Sequence, residues 1–233
     1  MKTTSKMRRG FTLVELLVVI VIIAALAGLT APMVIRQRKK ADQTEAVNNA
    51  RQIGIALFEF ETEYGTFPDD STATAVKDAT DTALVAGNKS NDRFRQLIRA
   101  GIAQSESMFY AKTAFTKKPD GILTSDIQAL AAGEVGFGII MDKGTKGLSA
   151  AGNPSRPIIG APFKIALDGT FDSDFYDGKA VVLKLDNSVT SFPIVPTSGN
   201  VKINGKTMLE TGDQTVWGTT QVTPQWSYPA PKP

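Results

Sequence analysis

The sequence predicts an α+β protein: one long N-terminal helix, a membrane span continuing into an amphipathic half, packed against a C-terminal antiparallel β-sheet head. Three observations predict it. Residues 16–35, LLVVIVIIAALAGLTAPMVI, run without a charge, and at about 1.5 Å per residue they make roughly 30 Å of helix, the thickness of a bilayer's hydrocarbon core. Ala46, Ala50, Ile53, Leu57, Phe60 and Tyr64 then recur at helical spacing, an apolar stripe that needs a surface to bury against. In the last hundred residues the pattern changes. Residues 135–141, 158–167, 180–185 and 189–195 are β-branched and aromatic runs bounded by Gly, Pro, Asn and Asp, as strands are.

Composition limits what such a chain does. At 233 residues and 42% hydrophobic content, with a mean hydropathy of −0.07, it fits one ordinary domain plus an appendage and is neither polytopic nor wholly disordered. It has no histidine and no cysteine. That excludes Ser-His-Asp and Cys-His nucleophiles, an imidazole general base, thiolate or imidazole zinc sites, and disulfides. The pI near 9.0 invites a nucleic-acid reading, but residues 1–40 hold eight of the 26 cations and one of the 23 acids. The remainder is net negative, so the expectation is no nucleic-acid partner.

Lys2, Lys6, Arg8 and Arg9 precede the apolar run in a leader without an acid. The positive-inside rule keeps that end cytoplasmic and sends the rest of the chain across the membrane. The cations from Arg36 to Lys40 read as a solvated helix surface or an interfacial anchor. A secretory signal peptide is a competing reading, with Ala25-Leu26-Ala27 before Gly28 as its cleavage site; a plain signal anchor is another. Glu15 discriminates among them. A carboxylate a few residues into a span is costly, neither alternative has a use for it, and it asks for a cationic partner.

Arg8-Arg9-Gly10-Phe11-Thr12-Leu13-Val14-Glu15, abutting the apolar run, resembles the leader and first residues of type IV pilins and type II secretion pseudopilins. The resemblance implies cleavage between Gly10 and Phe11 by a prepilin peptidase that also N-methylates Phe11. Glycine suits the cut because a residue without a side chain lets a peptidase approach the backbone. The new amine on Phe11 stays cationic, and in the family it meets the glutamate of a neighbouring subunit inside the assembled bundle. Transferred here, Phe11 and Glu15 are the assembly residues.

Pro32 lacks an amide donor, and with Gly28 it predicts a kink or a locally melted stretch. The helix then continues to about Tyr64. Glu63-Tyr64-Gly65-Thr66-Phe67-Pro68 ends it with two breakers and resembles the helix exit of type II secretion pseudopilins. Residues 71–90, rich in Ser, Thr, Ala and Asp without a period, read as a surface loop. Asn91 or Asp92 caps a short helix bearing Phe94, Leu97 and Ile98, stopped near Gly101. A second short helix is expected over 125–132, ended by Gly133. Asp186-Asn187 suggests a tight hairpin, and four prolines in residues 224–233 suggest an extended tail. The segments are thus a leader (1–10), an assembly half of the helix (11–35), an amphipathic half (36–64), a globular head (65–223) and a Pro-rich tail (224–233).

Asp168, Asp172, Asp174 and Asp177 cluster in a turn-rich stretch. Hard oxygen ligands at such spacing suit calcium, but they also suit turns and strand caps, and the spacing is not that of an EF-hand. The expectation is no cofactor and no metal. Catalytic groups would have to come from Asp, Glu, Lys, Ser, Thr or Tyr, and no convergent set is visible.

The resemblance therefore implies a structural subunit of a pilin-like filament, not an enzyme, and within the superfamily a type II secretion pseudopilin. A subunit of a type IV pilus is the alternative, and a membrane-anchored or secreted periplasmic enzyme or binding protein the more distant one. The implied partners are copies of itself and other pilin-like subunits, the prepilin peptidase/methyltransferase, an assembly platform with its ATPase, and the bacterial inner membrane. The head would be periplasmic and the filament periplasmic or on the surface.

Overall fold

In the computed structural model the described residues are 11–233 apart from 85, 127, 165–168 and 220, with the backbone alone at position 32. The chain divides into two units, residues 1–39 and 40–233. One helix, α1 (Leu13–Tyr64, 52 residues), begins in the first and ends in the second. The predicted melted stretch is absent: the helix is assigned without a break through Gly28 and Pro32. Proline removes one backbone donor, the one that would reach the carbonyl of residue 28, and the turns on either side carry the helix past it.

In the first unit no described residue covers the apolar run. Its described side chains from Phe11 to Ile35 are exposed, Phe11 by 78% and Ile20 by 56%, and this helix is long and apolar enough to cross a membrane.

In the second unit the outer part of α1 is amphipathic as its spacing predicts. Ala46, Ala50, Ile53, Leu57 and Phe60 are buried, while Arg51, Gln52, Ile55 and Glu59 face outward. Gly54 packs against the head with no room for a side chain: a Cβ placed there would stand 2.0 Å from Asn187 Oδ1 and 3.1 Å from a Leu183 methyl. Gln43 Nε2 donates to Ser191 Oγ at 2.8 Å and Lys112 Nζ to Asp42 at 2.8 Å. The helix ends at Gly65, whose φ of +85° is left-handed and whose N–H donates to the Glu61 carbonyl at 2.7 Å. A side chain would strain that closing turn. Phe67 then turns inward, edge-on to Phe58 at 5.7 Å.

Five antiparallel strands form the main sheet in the order β4-β3-β2-β1-β7: β1 (Gly138–Asp142), β2 (Pro157–Ala161), β3 (Lys179–Lys184), β4 (Val189–Pro193) and β7 (Pro224–Ser227). A two-stranded ribbon, β5 (Lys202–Ile203) with β6 (Lys206–Thr207), turns on Asn204-Gly205; both residues have positive φ, as a tight Asn-Gly hairpin needs. The Asp186-Asn187 hairpin joins β3 to β4 as expected, with Lys184 and Ser188 closing it through a 2.9 Å bond.

Several expectations change. Within residues 71–90, the stretch read as a loop contains α2 (Asp70–Thr80). Its start is a capping box in which Asp69 Oδ1 accepts from Ser71 N and Thr72 N, and Thr72 Oγ1 accepts from Asp69 N. Small residues, Thr72, Ala73 and Val76, form its buried side, so no strong apolar period announces it. α3 (Ser90–Arg99) begins slightly earlier than expected, with Lys89 as its N-cap and Asp92 turned back to accept the Lys89 N–H. Ser90, read as the end of the surface loop, and Asn91, read as a possible cap, are buried and bond the Phe137 and Leu130 carbonyls. Where a helix was expected over 125–132 there are turns, held by single bonds such as Ala129 N to Ser125 O.

Residues 224–233 are extended, but they are part of the head. Pro224–Ser227 is an edge strand paired with β1, where a proline lacking a donor does least harm. Beyond it Tyr228 O accepts from Ser90 N, Ala230 O from Gly133 N, and Phe115 O from Lys232 N. Phe163, Phe171, Trp226 and Tyr228 close one region of the core through ring contacts of 4.9–6.0 Å.

Candidate functional site

The candidate site is the start of α1. Thr12 is its N-cap and Glu15 its third residue, and the two make a reciprocal box. Glu15 Oε2 accepts from Thr12 N at 2.9 Å and from Thr12 Oγ1 at 2.7 Å, and Glu15 N donates to Thr12 Oγ1 at 3.3 Å. The spacing T-x-x-E before an apolar run is a known helix-start signal. The sequence reading took Glu15 as a docking acid and passed over Thr12, although the signal was present.

Both residues are exposed within this chain, as is Phe11 beside them. Gly10 lies outside the described residues. Phe11 is the first described residue, two positions before the helix starts. The arrangement presents a carboxylate in the first turn of a 52-residue helix, at the start of an apolar surface that is exposed among the described residues. Its ligand sphere is half used: Oε2 is bonded within the chain, and a carboxylate offers about four acceptor positions. A helix N-terminus also favours negative charge.

The aspartates considered for calcium do not converge. Asp172 is buried, and its Oδ1 accepts from Asp174 N at 2.9 Å, which makes a local turn. Tyr176 and Asp177 follow with positive φ, and Asp168 lies outside the described residues. Among the described residues, the group of three carboxylates that brings an oxygen from each together is instead Glu106, Asp120 and Glu134.

These residues form an exposed apolar helix headed by a capped carboxylate and followed in sequence by an α+β head. The model of the prokaryotic N-terminal methylation motif matches residues 5–31. Type II secretion system core protein G of Escherichia coli (strain K12) is 46% identical over 57 residues, 24% of this chain and 39% of that protein. The protein of the same name from Pectobacterium carotovorum subsp. carotovorum is 38% identical over 61 residues, 26% of this chain and again 39% of the relative. Over its N-terminal quarter the chain is similar to these type II secretion system core proteins and carries the prokaryotic N-terminal methylation motif. The match spans about two fifths of the length of these relatives. No solved structure matches the chain.

Proposed function

We propose that this chain is a structural subunit of a pilin-like filament, and within that class a pseudopilin of a type II secretion system. The observation that carries the reading is the pairing of the methylation motif over residues 5–31 with an uncovered apolar helix that starts at Leu13. In this reading a peptidase cuts after Gly10 and methylates the amine of Phe11. The subunit is held in the inner membrane by residues 16–35, with the leader on the cytoplasmic side and the head in the periplasm. An assembly platform and its ATPase then draw it into a filament with copies of itself and related subunits. The relatives named core protein G of the type II system favour secretion over an extended pilus.

Physical chemistry gives each residue its work. The cationic amine of Phe11 and the carboxylate of Glu15 are each costly in a low-dielectric bundle and offset one another when paired between neighbours. Because Glu15 sits at a fixed position in α1, its partner's amine is met at one axial level, which sets register. No cofactor enters this function, and the subunit performs no reaction.

The test is Glu15→Ala in cells that process and assemble the chain. The expected variant is inserted and cleaved like the parent yet absent from filaments and from inter-subunit crosslinks through the first helix. Filaments in normal amount would remove Glu15 from assembly.

A further inference from the structure

We propose that Arg36, Arg38, Lys39 and Lys40 form a cationic collar that binds the phosphate headgroups of anionic phospholipids where α1 leaves the membrane. The collar presupposes the reading above, in which residues 16–35 span the bilayer, and it names what the helix touches at the end of that span.

Its level follows from length. The uncharged run makes roughly 30 Å of helix, the whole hydrocarbon thickness, so the residues directly after Ile35 fall at the headgroup layer. Arg36, Arg38 and Lys40 are exposed and Lys39 is half-buried. Each Cα–Cβ bond of a helix tilts toward its N-terminus, so side chains at this end lean back toward the bilayer. Long cationic ones lay their stems along apolar surface and carry the charge to the phosphates.

The charge there is of one sign. From Leu16 to Ala41 the sequence holds no acid, and the first one beyond, Asp42, accepts from Lys112 Nζ at 2.8 Å. Farther along α1 the balance reverses: Glu45, Glu59, Glu61 and Glu63 stand with the single cation Arg51. A surface that faces only water has no need of such segregation. The four cations also oppose the orientation that the leader sets, because positive charge beyond a span resists translocation. Attraction to an anionic leaflet offsets that cost.

The arrangement separates a lipid from a protein partner. At 100° per residue the four side chains spread over about 200° of the helix circumference. A contact with another protein concentrates on one face, as the buried stripe of Ala46, Ala50, Ile53 and Leu57 does, whereas a headgroup layer meets the helix from every side. The contacts set the depth of α1 in the bilayer and are lost when the helix leaves it.

The chain has no cysteine, so Gln37→Cys gives one labelling site inside the collar. The full chain with a fluorophore on Q37C is reconstituted into vesicles of phosphatidylcholine with a minority of phosphatidylglycerol. A quencher near the glycerol backbone is carried by one lipid or by the other. The expected result is that phosphatidylglycerol quenches about threefold more per lipid than phosphatidylcholine, and that concentrated salt brings the two together. Adding R36Q, R38Q, K39Q and K40Q, which keep good helix formers on the exposed surface, should make the two lipids equal. Equal quenching in the parent overturns the collar and leaves the span standing. Quenching by neither lipid overturns both, because position 37 would then lie away from the membrane surface. A preference that survives the four substitutions also overturns the collar, since the lipid contact would lie elsewhere. So does a parent without preference whose substituted form fails to enter filaments, which would make these cations a protein contact.

Discussion

Thr12 and Glu15 hold one another at the start of α1, the hydroxyl of Thr12 donating to Glu15 Oε2 at 2.7 Å while accepting from the Glu15 N–H at 3.3 Å. The carboxylate proposed to pair between subunits is therefore also part of a helix cap. The two roles are separable, because Thr12→Val keeps Glu15 and removes the hydroxyl. We expect T12V to be processed and to assemble, at an efficiency within a few fold of the parent, whereas E15A does not assemble. Filament yield from the two variants side by side checks this; equal failure of both would make capping, not pairing, the function of Glu15.

Gly54 of α1 and Asn187 of the β3–β4 hairpin approach closely. Alanine in place of glycine gains about 1 kcal/mol of helix propensity, but here its Cβ would meet Asn187 Oδ1 at 2.0 Å. Overpacking of this kind costs about 1–3 kcal/mol, so Gly54→Ala is expected to lower stability. Asn187 has a φ of +60°, which glycine tolerates, so Asn187→Gly removes the obstacle without straining the turn. In the N187G background G54A should become neutral or stabilising. Denaturant unfolding of the four chains gives the coupling directly.

Asp69 gives the head an acid-sensitive joint. Burial pushes its carboxyl upward, but N–H bonds from Thr72, Gly147 and Ser71 together with the Ser71 hydroxyl outweigh that and hold it below the usual carboxylate range. With its folded pKa depressed, Asp69 stabilises the fold above the ordinary value of about 3.9 and loses that contribution as pH falls through the lower folded value. Asp69→Ala should cost about 1 kcal/mol at neutral pH. The gap between D69A and the parent should narrow as pH is lowered through that window, measured by denaturant midpoints at a series of pH values.

Residues 228–232 fasten three parts of the head, accepting from Ser90 and Gly133 and donating to Phe115 and, through Ala230 N, to Asn91 Oδ1. Removing residues 228–233 leaves partners of these groups unsatisfied. At roughly 1 kcal/mol for each lost bond, the loss should be about 3–4 kcal/mol. Chemical denaturation of the truncated chain is the check, and a loss under about 1 kcal/mol would mean that these bonds are replaced by water.

The parts of the fold that sequence reveals are those whose signal is periodic. Ala46, Ala50, Ile53, Leu57 and Phe60 of outer α1 are buried as spacing alone predicts, with Tyr64 half-buried at the end of the stripe, and β1 to β4 overlap the β-branched runs, β1, β2 and β3 each reaching one residue outside them. What escaped was written in residues that serve two structures equally well. Thr72, Ala73 and Val76 bury a helix side with side chains that are also common in loops. Pro224 and Gln225 read as a tail because proline opposes strands, yet an edge strand accepts it. The three-carboxylate cluster was invisible because Glu106, Asp120 and Glu134 are far apart in sequence and meet only through turns. At the candidate site the opposite held. Glu15 was conspicuous as an acid beside a span, while Thr12, its partner in the cap, looked ordinary.

The central claim is that residues 11 onward are the working subunit, released by cleavage after Gly10 and modified on Phe11. The direct test is the intact mass and N-terminal sequence of the protein purified from membranes of its native host. The account predicts a chain that begins at Phe11 and carries one added methyl group. A chain beginning at Gly28, or one still carrying Met1 and the leader, would contradict it: the first would make this a secreted soluble protein, the second a plain signal-anchored one.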